Sequence, residues 1–160
     1  MKRRLQLDAI DRGIIAILRQ DGRITNQALS DKVGLSARPC LERVRKLEAS
    51  GLIRGYQAVL APELAGHAIM AFAQIALRDH SVGRRDTVEK ILRASPHVVE
   101  LHVVSGEADY LARIVAASLA EYEEVTGAWL TDAHLGVARI ATTFVLKPLK
   151  DFEGYPLAEP

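Results

Sequence analysis

The feature that most constrains this chain's fold is a change of hydrophobic period at Gly51. Before it, apolar residues recur at helical spacing in three segments: Ile10, Ile14, Ile17 and Leu18, then Ala28, Leu29 and Val33, then Cys40, Leu41, Val44 and Leu47. After it, β-like apolar runs alternate with helical stretches. One packing layer cannot serve both patterns, so a helical head and a mixed body are expected within the 160 residues.

The head reads as three helices. The first runs from about Asp8 to Gln20 and is stopped by Asp21-Gly22. Thr25 caps a second through about Lys32, and Gly34-Leu35 makes a tight turn. Ser36 is the expected N-cap of the third, Pro39 is tolerated in its first turn, and Gly51 ends it. Two helices joined by a short glycine-containing turn, the second basic, form a helix-turn-helix pattern. The segment from Leu52 to Leu60 reads as a strand or wing, and Ala61 to His67 as a linker.

The body gives strand Ile69–Arg78, helix Arg84–Ala94, strand Val98–Ser105, turn Gly106–Asp109 and strand Tyr110–Ala116. Ser118 then caps a helix to about Leu130, with Leu119, Tyr122, Val125 and Trp129 inward, before strand Ala138–Leu146. The order βαββαβ is that of the ferredoxin-like unit, an antiparallel four-stranded sheet with both helices on one face. The predicted class is therefore α+β: a winged helix-turn-helix over 1–60, a linker over 61–67, a ferredoxin-like domain over 68–147 and a tail over 148–160. The strand from Ile69 is apolar on both faces, so something must cover the open side of the sheet. A second copy of the chain is the simplest cover, and a homodimer is expected.

Charge divides along the same boundary. Residues 1–60 carry 12 Lys and Arg against 6 Asp and Glu, while residues 61–160 carry 9 against 14. Only the head is suited to meet an anionic polymer. On its third helix, at about 100° per residue, Ala37, Cys40, Leu41, Val44 and Leu47 fall on one side and Arg38, Glu42, Arg45 and Lys46 on the other. A helix held by one face that offers arginines from the other suits a DNA major groove. Arg38 and Glu42 are expected at base edges: Arg reads guanine O6 and N7, and Glu accepts from cytosine N4. Arg45, Lys46 and Arg54 are expected at phosphates, with Ser36 capping the helix or touching a phosphate.

The single cysteine, Cys40, rules out an internal disulfide, fits a reducing cytoplasm and reads as buried filler. Met1-Lys2-Arg3-Arg4 is followed by no long apolar run, so no signal peptide or membrane span is expected. His97, His102 and His134 lack metal-ligand spacing, and neither a nucleophile–base pairing nor a phosphate-binding glycine loop is visible. No catalytic residue, metal or cofactor is expected.

These residues together resemble the Lrp/AsnC (feast/famine) family of transcriptional regulators over about residues 7–150. The likeness is carried by Leu7-Asp8-Ala9-Ile10-Asp11, Asp21-Gly22-Arg23-Ile24, Gly34-Leu35-Ser36, Arg43-Val44-Arg45-Lys46-Leu47-Glu48, Gly51-Leu52-Ile53-Arg54-Gly55-Tyr56 and Ser105-Gly106-Glu107-Ala108-Asp109-Tyr110-Leu111. The stretch Pro39-Cys40-Leu41-Glu42-Arg43-Val44-Arg45 is most similar to the leucine-responsive branch. The resemblance implies a cytoplasmic regulator of double-stranded DNA whose second domain binds an amino acid and oligomerises, as dimers or larger assemblies such as octamers. It also implies an effector pocket at the Gly106–Asp109 turn, where backbone N–H groups would hold the amino acid's carboxylate and Asp109 its ammonium. Val103, Leu119, Thr143 and Phe144 would complete that pocket across a subunit boundary, with Thr131 or Asp132 adding polar contacts. This chain has Glu107-Ala108 where relatives often carry Asp and an aromatic, and it lacks the proline they place before Gly136-Val137. A ligand-independent DNA-organising protein is the alternative function. A more remote one is the haem-biosynthesis decarboxylase type that shares the fold, against which the acidic body argues.

Overall fold

The computed structural model describes residues 6–79 and 81–158; the Met1–Arg4 start, where no signal peptide was expected, lies outside them. The chain divides into two compact units, Met1–Val59 with Lys150–Pro160, and Leu60–Leu149.

In the first unit, helices α1 (Ala9–Gln20), α2 (Asn26–Val33) and α3 (Ala37–Ala49) follow the predicted boundaries within a residue or two. Asp8 caps α1 in a reciprocal capping box. Its carboxylate accepts the Asp11 N–H at 2.8 Å, and its own N–H reaches the Asp11 carboxylate at 3.3 Å. Thr25 caps α2 through the Ala28 N–H at 3.2 Å. Gly34 takes the left-handed conformation (φ +70°) that lets α2 end and α3 begin three residues later. The core is Ile14, Ile15, Leu29, Cys40 and Leu47, with Val44 and Ile53 packed around it. Its stripe on α3 runs through Cys40, Val44 and Leu47, which rotates Leu41 to the surface (37% exposed) instead of inward as expected.

One other expectation fails in this unit. Leu52 to Leu60 forms no strand. A strand is stable only when its N–H and C=O groups pair with a neighbour, and no strand lies among the described residues of the unit. The segment is tied instead by Tyr56, whose hydroxyl donates to Glu48 on α3 at 3.0 Å. The C-terminal tail belongs to this unit. Leu157 packs against the helical core, while Arg12 and Arg19 of α1 donate to the carbonyls of Ala158 (3.2 Å) and Gly154 (3.3 Å).

The second unit is β1 (Ile69–Leu77), α4 (Val82–Ala94), β2 (Val98–Val103), β3 (Tyr110–Ala116), α5 (Leu119–Thr131) and β4 (Val137–Phe144). The antiparallel sheet has order β2-β3-β1-β4, the ferredoxin-like topology. Alternate residues of the two central strands, Ala71, Ala73, Ile75 and Leu77 with Tyr110, Ala112, Ile114 and Ala116, pack with Val88 and Leu92 of α4 and Tyr122 and Trp129 of α5. The alanines let the helices approach the sheet closely. Leu119 does not join them: it is 49% exposed, and Thr126 takes a buried place on α5. The predicted linker over residues 61–67 is turned, with the Ala65 and His67 N–H groups donating to the carbonyls of Ala61 (3.0 Å) and Pro62 (2.8 Å).

Candidate nucleic-acid interface and effector site

The exposed basic surface of α3 follows from how the helix is fastened. With Cys40, Val44 and Leu47 turned inward, Arg38, Glu42, Arg45 and Lys46 occupy about 100° of arc on the outer side, and all four are exposed, as are Ser36 and Arg54. Arg38 Nε lies 3.4 Å from Glu42 Oε1, one turn along the helix, with the two side chains 91% and 65% exposed. So exposed a pair separates readily in favour of another partner. Ser36 sits at the N-cap position but makes no side-chain capping bond, contrary to expectation. Its extended backbone sets the chain's entry into α3 while its hydroxyl stays available to solvent.

Sequence reasoning missed Arg43. It projects away from the basic face, and its Nη1 lies 2.7 Å from both Asp8 Oδ2 and Asp11 Oδ1. α3 is thereby clamped to the capped start of α1. The Asp11 N–H and the Arg43 guanidinium hold the Asp8 carboxyl below its usual range, and the two carboxylates raise the Arg43 pKa. Asp8 and Asp11 were legible as helix-start residues, but their partner lies 32 to 35 residues downstream, beyond any local spacing rule.

The residues expected to bind an effector fall into two groups within one copy. Val103, Gly106 and Asp109 lie at the end of the sheet where Tyr110 pairs with Ile75, near the end of β1; Thr131 precedes the start of β4 at that same end. Thr143 pairs with Phe72 and Phe144 with Ala71, near the start of β1, where Leu119 also emerges after β3. At about 3.3 Å per residue, at least 10 Å of strand separates the groups, so one chain does not assemble the whole set. Val103, Leu119 and Phe144 are all substantially exposed (70%, 49% and 39%). Phe144 stacks edge-to-face on Tyr122 at 5.1 Å, and the Tyr122 hydroxyl meets Thr142 Oγ1 at 2.6 Å.

Asp109 is committed to the fold. Its Oδ2 accepts the Leu77 N–H at 2.8 Å, its own N–H donates to the Ile75 carbonyl at 2.9 Å, and Oδ1 lies 3.9 Å from Arg85 Nη2. Gly106 adopts φ +111°, a conformation that closes the turn and that a side chain would disfavour. Thr131 Oγ1 bonds back to the Gly127 carbonyl at 2.9 Å, as hydroxyls on helices commonly do.

Near Thr131 is a cleft of about 290 Å³, lined by Arg78, Asp79, Arg84, Leu130, Thr131, Asp132, Ala133, Gly136 and Val137. Arg84 frames it. Its Nε lies 3.2 Å from Asp79 Oδ2, and Nη1 donates to the carbonyls of Ala133 (3.1 Å) and His134 (3.0 Å). A Cβ on Gly136 would stand 2.6 Å from Arg84 Nη1, so the guanidinium occupies the space that glycine leaves. The Ser81 N–H and Arg84 lower the Asp79 pKa.

Cys40 is fully buried and burial raises its thiol pKa, the environment of a packing residue rather than a nucleophile. Among the described residues no three His, Cys, Asp or Glu side chains gather in a metal-binding arrangement, and no helix is long and apolar enough to cross a membrane.

Comparison with known proteins agrees with this division. Residues 7–54 match the family model for winged helix-turn-helix DNA-binding, and residues 70–155 that for the Lrp/AsnC ligand binding domain. The leucine-responsive regulatory protein of Rhizobium meliloti is 40% identical over 148 residues, covering 92% of this chain and 94% of its own. Among solved structures, an AsnC family transcriptional regulator from Agrobacterium tumefaciens superposes with a TM-score of 0.83 at 29% identity, covering 96% of this chain and 97% of that one. A Neisseria meningitidis transcriptional regulator, solved as a complex with L-Met, gives 0.81 at 33% identity, with coverage of 91% and 94%.

Proposed function

The chain belongs to the Lrp/AsnC family of transcriptional regulators, and on that premise we propose that it reads operator DNA with α3 in response to an amino acid. The observation that carries the DNA reading is the exposed basic arc on a helix whose other sides are fixed. Burial of Cys40 and Leu47 and the Arg43 clamp hold α3, while Arg38, Arg45 and Lys46 stay solvent-facing. In the groove, Arg38 leaves Glu42 for guanine O6 and N7, and Glu42 accepts from a cytosine amino group. Arg45, Lys46 and Arg54 take phosphates, as does the unspent Ser36 hydroxyl.

The ligand-binding unit senses a free amino acid, as the L-Met complex of the Neisseria meningitidis regulator suggests by analogy. The working form is a homodimer or a larger oligomer. The outward faces of Leu119, Thr143 and Phe144 support this, because they need a second copy to meet Gly106 and Asp109 in one pocket. Ligand shifts the balance between assemblies and so alters how several α3 helices engage spaced sites in the cytoplasm.

Selection of an operator from random duplexes, followed by anisotropy titration, tests the assignment. Arg38→Ala should weaken operator binding by about 1–3 kcal/mol and relax preference at one base pair. Lys46→Ala should weaken operator and random duplex alike and reduce the salt dependence. Equal loss on both duplexes for Arg38→Ala would reassign it to a phosphate.

A further inference from the structure

We propose that residues 150–158 form a releasable strap through which the ligand-binding unit governs the setting of α1 and, through α1, of α3. This role rests on the amino-acid reading above and supplies the route by which that signal reaches the DNA-binding unit. The path of the chain is its first support. The helical unit comprises Met1–Val59 and Lys150–Pro160, and Leu60–Leu149 forms the other unit between them. The backbone therefore crosses from one unit to the other twice, so a change in the second unit can act on the first at either crossing. The outgoing segment is gripped at helix ends. The Tyr56 hydroxyl donates to Glu48 at 3.0 Å, and a Cβ on Gly22, just past α1, would stand 3.1 Å from Tyr56 Cδ1. The returning segment is held along α1 itself.

Arg12 and Arg19 are seven residues apart, which places them within about 20° of one another around α1 and about 10 Å apart along it. Arg19 donates to the Gly154 carbonyl at 3.3 Å and Arg12 to the Ala158 carbonyl at 3.2 Å. From Gly154 to Ala158 an extended chain covers about 13 Å. The strap thus runs antiparallel to α1, with a guanidinium at either end and Leu157 packed against the helical core. Its hold is light. Both bonds are exposed, Leu157 is half-buried, and Phe152 and Tyr155 stack on each other at 5.0 Å while staying 63% and 81% exposed. Water competes for such contacts, which puts the strap among the weakly held elements whose docking a ligand can bias. α1 is also the helix to which α3 is clamped, by Arg43 at 2.7 Å from both Asp8 and Asp11. Strap and clamp therefore share one helix, and the strap reaches Arg12, the residue next to Asp11. Docked, it braces α1 and the α3 clamped to it; released, it leaves both to the helical core.

The experiment measures operator affinity by anisotropy with and without amino acid, first for the full chain with each of the twenty L-amino acids. The most effective of them should change operator affinity at least about fivefold. In a chain ending at Lys150 that change should all but vanish, while the operator is still bound and calorimetry still shows the amino acid binding. Arg12→Gln combined with Arg19→Gln, neither of them in the buried core, should lose most of the change. Arg12→Lys with Arg19→Lys keeps both donors and should restore it. A merely structural role would lower the melting temperature of the glutamine pair and leave its response to the amino acid intact, which would overturn the strap's role. A full response in the folded chain ending at Lys150 would overturn it too. So would loss of amino-acid binding together with the response, because the tail would then belong to the pocket. If the shortened chain shows no cooperative melting, the glutamine pair decides, a full response again overturning the proposal. Failure of all twenty amino acids to alter operator affinity of the full chain would overturn the amino-acid reading, and the strap's role with it.

Discussion

The two units treat charge in opposite ways. On α3 the cations Arg38, Arg45 and Lys46 are held outward, and the one nearby pair, Arg38 with Glu42, is exposed enough to part. At the Gly106–Asp109 turn the residue with the most suggestive chemistry is absorbed into the architecture, with Asp109 joining β1 to β3. The serines at helix starts show the same contrast. Ser118 accepts the Glu121 N–H at 3.2 Å and caps α5, whereas Ser36 makes no side-chain cap on α3. A group already engaged in holding the backbone has little left for a partner. An unengaged one in the same local sequence context is the better candidate for recognition.

If the units have separate cores, the largest expected effect is one-sided. Ile14→Ala and Ile114→Ala each empty a fully buried site and should each cost about 2–5 kcal/mol. In calorimetric unfolding, each should lower only the transition of its own unit; a single transition shifted equally by both would join the two cores into one cooperative structure. The caps provide a finer comparison. Ser118→Ala should destabilise the second unit by about 1 kcal/mol, while Ser36→Ala should leave the first unit's stability nearly unchanged and weaken DNA binding instead. Equal thermal losses would return Ser36 to a capping role.

Acid supplies the smallest and most selective test. Asp8 and Asp79 both have pKa values lowered in the fold, first by a backbone N–H (from Asp11 and Ser81) and then by an arginine (Arg43 and Arg84). Their stabilising contributions are therefore present above the unfolded aspartate pKa of about 4 and are lost as pH falls through the lower folded values. Asp8→Asn should flatten the acid limb of the first unit's stability curve and leave the second unit's unchanged; Asp79→Asn should do the reverse. Parallel acid limbs in both variants would show that other carboxylates govern the response.

Much of the fold was legible because its signals are local. The periodicity of Ile10, Ile14 and Ile17, the caps at Thr25 and Ser118, and the βαββαβ order all depend on neighbours a few residues apart, and each is found in the structure. The basic face of α3 was legible for the same reason, since helix geometry alone assigns its side. What escaped depended on distant partners. Leu52 to Leu60 has strand composition but no strand to pair with, a lack that composition cannot reveal. The turn from Gly106 to Asp109 was visible, yet the engagement of its carboxylate by the Leu77 N–H 32 residues away was not.

The sequence by itself determined the two-part organisation, the basic face of α3 and the strand order of the body, because short-range backbone preferences and hydrophobic period set these. Only the tertiary structure decided which charges are spent and which are free. Arg43 is held by Asp8 and Asp11, Arg84 by Asp79 and two loop carbonyls, and Arg78 by no side chain among the described residues. The physical reason is that an ion pair costs its partners hydration and is formed only where folding brings the two groups within about 4 Å, a distance that chain separation does not encode.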